Sequence, residues 1–86
     1  MEKDEIRIQT DRVIRNLEAV LKASGSDLNH VLKTTVFLKN MDDFHSMNEV
    51  YNKFFSKDSP ARSAVEVARL PKNVLVEIEC IALTKP

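Results

Sequence analysis

Two charged side chains stand where the pattern of the chain predicts half-buried β-strands. Arg62 lies in the stretch PARSAVEVARLP at 60–71, and Glu77 lies in VLVEIECIAL at 74–83. Because taking a charge out of water is costly without a partner, a charge in such a strand is usually paired or functional. The planar fork of an arginine can hold a carboxylate through two hydrogen bonds, and a glutamate can carry a proton. These two residues are therefore the first candidates for ligand binding and catalysis.

Both residues also have an ordinary structural explanation. An arginine near the start of a strand is often a surface or salt-bridge residue. Glu77 and Glu79 form a Glu-x-Glu pair, which is typical of a solvated or ion-paired stripe on one face of a sheet. From the residues alone, the structural and the functional interpretation both stay open.

The elements that would position these residues follow from the spacing of apolar side chains. Residues 5–24 repeat apolar residues with helical spacing, and Gly25, the only glycine, follows them where a helix end favours a left-handed residue. The predicted stripe of this helix is Ile6, Val13, Ile14, Leu17, Val20 and Leu21. Residues 31–39 are rich in β-branched side chains and predict a strand. One face of that strand would carry Leu32, Thr34, Val36 and Leu38, and the other Val31, Lys33, Thr35 and Phe37.

A second helix is predicted after Asn40, whose side chain can cap it. Its apolar stripe is Phe44, Met47, Tyr51, Phe54 and Phe55. Strands at about 61–70 and 74–83 are predicted to pair with each other as a tight hairpin through residues 71–73. The order helix, strand, helix, strand, strand predicts one α+β domain over 1–86, with a mixed sheet and both helices on one face.

The predicted hairpin keeps Arg62 and Glu77 apart. Arg62 would lie opposite residue 82 or 83, roughly 17–20 Å from Glu77 along the sheet. A site that contained both would therefore need a second subunit. The last strand also predicts an uncovered sheet face that is too apolar for free exposure, which favours an oligomer. That face consists of Leu75, Glu77, Glu79, Ile81 and Leu83.

Composition narrows the class of protein. Thirteen basic and thirteen acidic residues cancel, so the chain lacks the basic surplus typical of nucleic-acid binders. Its single cysteine, Cys80, allows no intrachain disulfide, fits a reducing compartment, and is interpreted as a packing residue. No segment resembles a signal peptide or reaches the ~20 apolar residues of a membrane span. We expect a soluble, cytoplasmic protein with no membrane partner.

The remaining polar residues give weaker signals. Asn48 borders the stripe of the second helix and could turn its amide either inward or toward solvent. Asp42, Asp43 and His45 match no familiar metal-ligand spacing, and helix capping and the helix dipole explain the two aspartates better. His30 has no obvious partner in the sequence. We therefore expect no metal site.

Taken together, these motifs resemble one known family. From about Ile6 to Ala82, and above all in PARSAVEVARLP and VEIECIA, the chain is similar to the RidA (YjgF-like) family of reactive-intermediate imine deaminases. The resemblance implies a chorismate-mutase-like α+β fold and a homotrimer with clefts between subunits. It also implies hydrolysis of 2-imino acids, such as 2-iminobutanoate and 2-iminopropanoate, to 2-keto acids and ammonia, without a metal or an organic cofactor.

The resemblance also assigns roles to individual residues. Arg62 matches the family arginine that holds the substrate carboxylate, and Asn48 matches an asparagine of the cleft. Glu77 matches the glutamate that positions or activates water from across the subunit boundary. Ala64 stands where some relatives have cysteine, so no thiol role carries over.

In length, the chain is expected to correspond to the C-terminal two-thirds of a full-length family member. It would begin after the N-terminal strands and a GPYSQA-like segment that help to line the cleft. Two other functions remain open: a non-catalytic protein that binds 2-keto acids or regulates another process, and, with less support, RNA cleavage or translation inhibition.

Overall fold

Two α-helices lie on one face of a three-stranded sheet. The structure, a computed structural model, describes residues 2–57 and 59–86. The elements in chain order are α1 (Glu2–Ala23), β1 (Val31–Leu38), α2 (Phe44–Phe54), β2 (Ala61–Glu66) and β3 (Val76–Ala82). The predicted order and the predicted α+β class are confirmed. No helix in the described part of the chain is both long and apolar enough to cross a membrane.

Helix α1 ends where its sequence predicts. Gly25 has a φ of 82°, and the Ser26 amide donates a hydrogen bond to the carbonyl of Leu21 at 2.8 Å, which closes the helix end. Five of the six stripe residues are buried or half-buried, but Val20 is 62% exposed. Val20 lies at the margin of the stripe, about 70° around the helix from its centre, so most of its side chain stays in solvent.

Strand β1 is the central strand of the sheet, and the predicted hairpin is therefore wrong. The strand order is β2-β1-β3, with β2 parallel and β3 antiparallel to β1. Residues 67–75 cross over the end of β1 instead of turning back. At this crossing the Val67 amide donates to the carbonyl of Leu38 at 2.8 Å, and the Lys39 amide donates to that of Leu75 at 3.0 Å.

The segment predicted as the hairpin does form a turn. Pro71–Asn73 is a short 3-10 helix in which Lys72 and Asn73 have φ values of 58° and 56°. Such turn chemistry determines only the local direction of the backbone. The strand order depends instead on which edges of β1 are free to pair, and turn residues carry no information about that.

The alternation of side chains gives the sheet two unlike faces, which we call the helix face and the open face. The helix face carries Thr34, Val36 and Leu38 of β1, with Arg62, Ala64 and Glu66 of β2 and Val76, Ile78 and Cys80 of β3. The open face carries Lys33, Thr35 and Phe37 of β1, with Ala61, Ser63 and Val65 of β2 and Glu77, Glu79 and Ile81 of β3. The hydrophobic core lies between the helix face and the two helices.

One irregularity changes the predicted faces of β1. A register shift between Val31 and Lys33 buries Val31 and leaves Leu32 51% exposed, which reverses the prediction for these two residues. A bulge has this effect because one extra residue inverts the alternation locally. From Thr34 onward, the predicted alternation holds.

Candidate functional site

Arg62 lies on the helix face of β2, and α2 supplies its partners. Its Nη1 donates a hydrogen bond to Oδ1 of Asn48. Its Cζ atom lies 4.7 Å from the ring centroid of Tyr51 and 5.2 Å from that of Phe44, which is the range of a cation–π contact. The amide of Asn48 therefore turns toward the sheet, the first of the two orientations left open by the sequence.

The helix presents these three partners on one stripe. Phe44, Asn48 and Tyr51 are spaced i, i+4 and i+7, so they lie above one another on the same side of α2. The sequence predicted Phe44 and Tyr51 only as core residues. Their spacing around Asn48, opposite a predicted strand that carries an arginine, is the signal that could have identified them as partners of Arg62.

The start of α2 is fixed relative to β2. Oδ1 of Asn40 accepts a hydrogen bond from the Asp42 amide at 2.9 Å, so Asn40 caps the 3-10 turn Met41–Asp43 that leads into α2. Oε1 of Glu66 accepts from the Met41 amide at 2.7 Å. These hydrogen bonds hold the start of α2 in a fixed position relative to β2, and therefore hold the partners of Arg62 on α2 in position relative to Arg62.

An open depression of about 630 Å³ lies between β2 and the start of α2. It is lined by Met41, Asp42, Phe44, His45, Arg62 and Ala64. Within the described residues, no carboxylate forms an ion pair with Arg62, and Asn48 accepts its one side-chain hydrogen bond. An arginine has five N–H donors, so most of its fork remains available to a ligand carboxylate in this depression.

Glu77 lies on the open face, away from Arg62. In the register of the sheet, Arg62 is opposite Thr34 and Glu77 is opposite Phe37. Three positions along β1 and two strand spacings separate their Cα atoms by about 14 Å. Because Thr34 and Phe37 are an odd number of residues apart, Arg62 and Glu77 also point to opposite faces.

The predicted pairing of Arg62 with residue 82 or 83 is therefore wrong, together with the distance that depended on it. A single chain still does not bring Arg62 and Glu77 together, but the reason is that they lie on opposite faces of the sheet. In the described chain, Glu77 and Glu79 are exposed and neither forms an ion pair. The carboxylates of β3 are thus directed at whatever lies over the open face.

The other candidate residues have structural partners. Asp43 forms an ion pair with Lys3 at 2.9 Å, and the exposed His45 lies 3.9 Å from Glu49. No group of metal-ligating side chains occurs among residues 2–57 and 59–86. Cys80 is half-buried, and burial raises the pKa of its thiol, which disfavours the nucleophilic thiolate and agrees with a packing role.

His30 does have a partner, contrary to the sequence-based expectation. Its Nδ1 lies 2.7 Å from Oδ1 of Asp27, and Nζ of Lys85 lies 3.5 Å from the other oxygen of that carboxylate. The hydrogen bond from His30 holds the pKa of the Asp27 carboxyl below its usual value. The i, i+3 spacing of Asp27 and His30 is the signal that was missed, because it brings the two together only in a helical turn such as Leu28–His30.

Comparison with known proteins places the chain in a family. A family model described as Endoribonuclease L-PSP matches residues 1–84. "Putative regulator AldR" of Lactococcus lactis is 57% identical over 82 residues, which cover 95% of this chain and 65% of that protein. "Reactive Intermediate Deaminase A, chloroplastic" of Arabidopsis thaliana is 48% identical over 79 residues, which cover 92% of this chain and 42% of that protein.

Solved structures agree with these sequence matches. The crystal structure of E. coli TdcF with bound serine superposes with a TM-score of 0.88 at 40% identity, covering 93% of this chain and 65% of that one. The chain thus spans less than two-thirds of the length of each of these three proteins.

Proposed function

Because the chain belongs to the family described as Endoribonuclease L-PSP, we propose that it hydrolyses reactive 2-imino acids to 2-keto acids and ammonia. The proposed substrates are 2-iminobutanoate and 2-iminopropanoate. The observation that carries the proposal is the guanidinium of Arg62, which α2 holds in place while leaving it without a carboxylate partner in the described chain. The name of a relative, Reactive Intermediate Deaminase A, supports a deamination.

The reaction needs three things from a site. The substrate carboxylate must be anchored, a water must be held near the imine carbon, and a proton must pass from that water to the nitrogen. The water oxygen bonds to the imine carbon as that proton reaches nitrogen, which gives a carbinolamine. The hydroxyl proton of the carbinolamine then passes to nitrogen as the C–N bond breaks, which leaves the keto group and ammonia. We assign the anchor to Arg62, its support to Asn48, and the water and proton transfer to Glu77.

The depression beside Arg62 fits a small substrate. Met41, Phe44 and Ala64 line it with apolar surface, which suits the short alkyl side chain of 2-iminobutanoate or 2-iminopropanoate. The Asp42 carboxylate in the same lining would repel a ligand with a second negative charge. The substrate class proposed is therefore a monocarboxylate with a short apolar side chain.

A complete site of this kind would lie between subunits. Arg62 and Glu77 are on opposite faces of one sheet, so the Glu77 that serves a given Arg62 would belong to a neighbouring copy. The exposed side chains of Val65 and Ile81 on the open face support such an association. We propose a homotrimer in the cytoplasm, in which residues 1–86 form one RidA-like domain matching the C-terminal two-thirds of longer relatives.

The strongest alternative is a protein that binds a small carboxylate without turning it over. One observation favours it: Arg62 and its three partners are complete within one chain, whereas Glu77 is not beside them. The relative named "Putative regulator AldR" and the TdcF structure with bound serine are compatible with this alternative. RNA cleavage, which the family description names, receives no support from the zero net charge of the chain.

The test is the decay of an imine that an amino acid oxidase generates in the assay. We expect the protein to accelerate the decay, Arg62→Ala to raise KM, and Glu77→Gln to lower kcat by about 10²–10⁴-fold. Glu79→Gln is the matched control, because Glu79 lies on the same strand and face and is exposed like Glu77. We expect that control to stay within about threefold of the wild type.

Two results would contradict the proposal. Decay no faster than in buffer would exclude the enzyme, and equal effects of Glu77→Gln and Glu79→Gln would remove the assigned role of Glu77. Calorimetric titration with pyruvate then separates the alternatives. Binding that depends on Arg62 without turnover would establish the carboxylate-binding protein instead.

A further inference from the structure

The side chain of Tyr51 has two contacts within the core. Its hydroxyl lies 2.7 Å from Oγ1 of Thr34, and its ring centroid lies 4.6 Å from that of Phe55. Thr34 is 0% exposed and Tyr51 3% exposed, so their hydrogen bond is shielded from water. A shielded hydrogen bond between two ordered side chains leaves the ring little freedom to move.

Thr34 connects Tyr51 to Arg62 in a second way. Thr34 is the register partner of Arg62 in the parallel ladder between β1 and β2. One residue therefore positions both the backbone from which Arg62 projects and the tip of the ring that lies against its guanidinium. Thr34 therefore helps to fix the distance of 4.7 Å between Cζ of Arg62 and the Tyr51 centroid, through the strand register on one side and the hydrogen bond on the other.

This arrangement restricts the direction of the arginine fork. The Arg62 guanidinium lies over the ring of Tyr51, with Cζ 4.7 Å from the ring centroid, and Asn48 accepts a hydrogen bond from Nη1. The Nε and Nη2 donors have no partner among the described residues, and Arg62 lines the open depression beside Ala64 and Met41. A bidentate grip on a carboxylate depends on such an orientation, because a freely rotating fork must be ordered when the ligand binds.

We infer that Tyr51, held by Thr34, is a positioning residue that presets the direction of the Arg62 fork for a carboxylate ligand. The inference rests on the proposed role of Arg62 in binding that carboxylate. Tyr51 touches Arg62 and not the reacting atoms. Its loss should therefore weaken binding of the carboxylate more than it slows the chemical step.

The test compares two substitutions at Tyr51 with one at Phe54. Tyr51→Leu removes the ring, Tyr51→Phe keeps it, and Phe54→Leu removes a comparable contact elsewhere on α2, where Arg15 lies 5.4 Å from the Phe54 centroid. Pyruvate affinity is measured by calorimetry, and KM and kcat are measured with the generated imine. We expect Tyr51→Leu to raise Kd and KM about five- to tenfold with kcat within about threefold. Tyr51→Phe should raise Kd and KM less than Tyr51→Leu does, because the ring remains while its hydrogen bond to Thr34 is lost, and Phe54→Leu should leave both within about threefold of the wild type.

Equal Kd values for Tyr51→Leu and Phe54→Leu would overturn the inference, and so would a loss that appears only in kcat. If Tyr51→Leu does not fold, ¹⁵N relaxation of the arginine Nε–H groups in the wild type decides. Arg12, an exposed arginine with no ion pair among the described residues, is the reference for free motion. We expect Arg62 Nε–H to be more ordered than that of Arg12, and equal mobility would overturn the inference.

The same experiments separate this inference from the proposed function. Wild-type protein that neither binds pyruvate nor accelerates imine decay would contradict the proposed function. The order of the Arg62 fork is measured without a ligand, so it would still report whether the fork is preset, which the inference requires.

Discussion

The two faces of the sheet treat their charged residues differently. On the helix face, Arg62 and Glu66 have side-chain or backbone partners supplied by the segment 41–51. On the open face, Glu77 and Glu79 are exposed and form no ion pair within the described chain, and they stand beside the exposed Ile81. The charged residues of the helix face have partners within the chain although Arg62 and Glu66 remain exposed, whereas the carboxylates of the open face form no ion pair in the described chain.

This difference indicates where each part of the proposed site is built. The proposed binding of a carboxylate by Arg62 depends on contacts that a single chain makes, because β1, β2 and α2 together orient this arginine. The proposed catalytic role of Glu77 depends on a surface that a single chain leaves open. The first part should therefore survive in a monomer, while the second requires association.

The largest expected effect is on assembly. Ile81 on the open face is 64% exposed and Val20 on α1 is 62% exposed, so they form a matched pair. If the open face is the subunit interface, Ile81→Asp should reduce the mass measured by light scattering from trimer to monomer, because burying a carboxylate there is costly. Val20→Asp should leave the mass unchanged. The same mass for both variants would mean that the open face does not mediate assembly.

The next effect is on the stability of the folded chain. Leu38 and Leu32 lie on the same strand, and they are 0% and 51% exposed. Leu38→Ala should lower the free energy of unfolding by about 3 kcal/mol, because it leaves a cavity under the helices. Leu32→Ala should cost less than about 1 kcal/mol. Urea denaturation at low protein concentration measures both, and similar losses would contradict the assignment of the core to the helix face.

The smallest expected effect is on the pH dependence of stability, through the Asp27 carboxylate and its partner His30. His30 lowers the pKa of Asp27. Because the folded-state pKa is depressed, the carboxylate contributes stability above its unfolded pKa near 3.8, and that contribution is lost as the pH falls through the lower folded value. We expect Asp27→Asn to reduce the loss of stability between pH 6 and pH 2.5.

The urea midpoint at the two pH values measures this change. His30→Gln should change the pH dependence in the same direction but by less, since it removes the largest cause of the lowered pKa while Lys85 still lowers it. An unchanged pH dependence in both variants would show that the Asp27–His30 contact contributes nothing to folding.

Much of the local structure could be predicted from periodicity. The stripes Ile6–Leu21 and Phe44–Phe55 mark the two helices, because packing one side of a helix on a sheet demands apolar residues at helical spacing. Alternation in β1 and β3 likewise predicts which residues of Thr34–Leu38 and Val76–Ala82 face the core. The exposure of Val20 and Leu32 was not predicted. Val20 lies at the margin of the apolar stripe of α1, and Leu32 lies at the bulge that interrupts the alternation of β1.

The candidate site was predicted less completely. Arg62, Glu77 and Asn48 could be named from residue type and from a family resemblance. Thr34 could not, because it matches an ordinary β-branched strand pattern and its hydrogen bond to Tyr51 joins two elements 17 residues apart in the chain. Tyr51 was predicted only as a core residue, although its spacing from Asn48 on α2 was a signal of its contact with Arg62. The partner of His30 was missed for a different reason, since it depends on the conformation of a short turn.

The sequence by itself determined the order of the elements, the faces that the helices bury and the family, because these follow from patterns within a few residues of each other. Only the tertiary structure decided that β1 is central and that Arg62 and Glu77 occupy opposite faces. Strand pairing is a contact between distant segments, and a shift of one residue would move every side chain of a strand to the other face. No local pattern therefore specifies whether Arg62 and Glu77 lie in one site of a single chain or would need a neighbouring chain to meet.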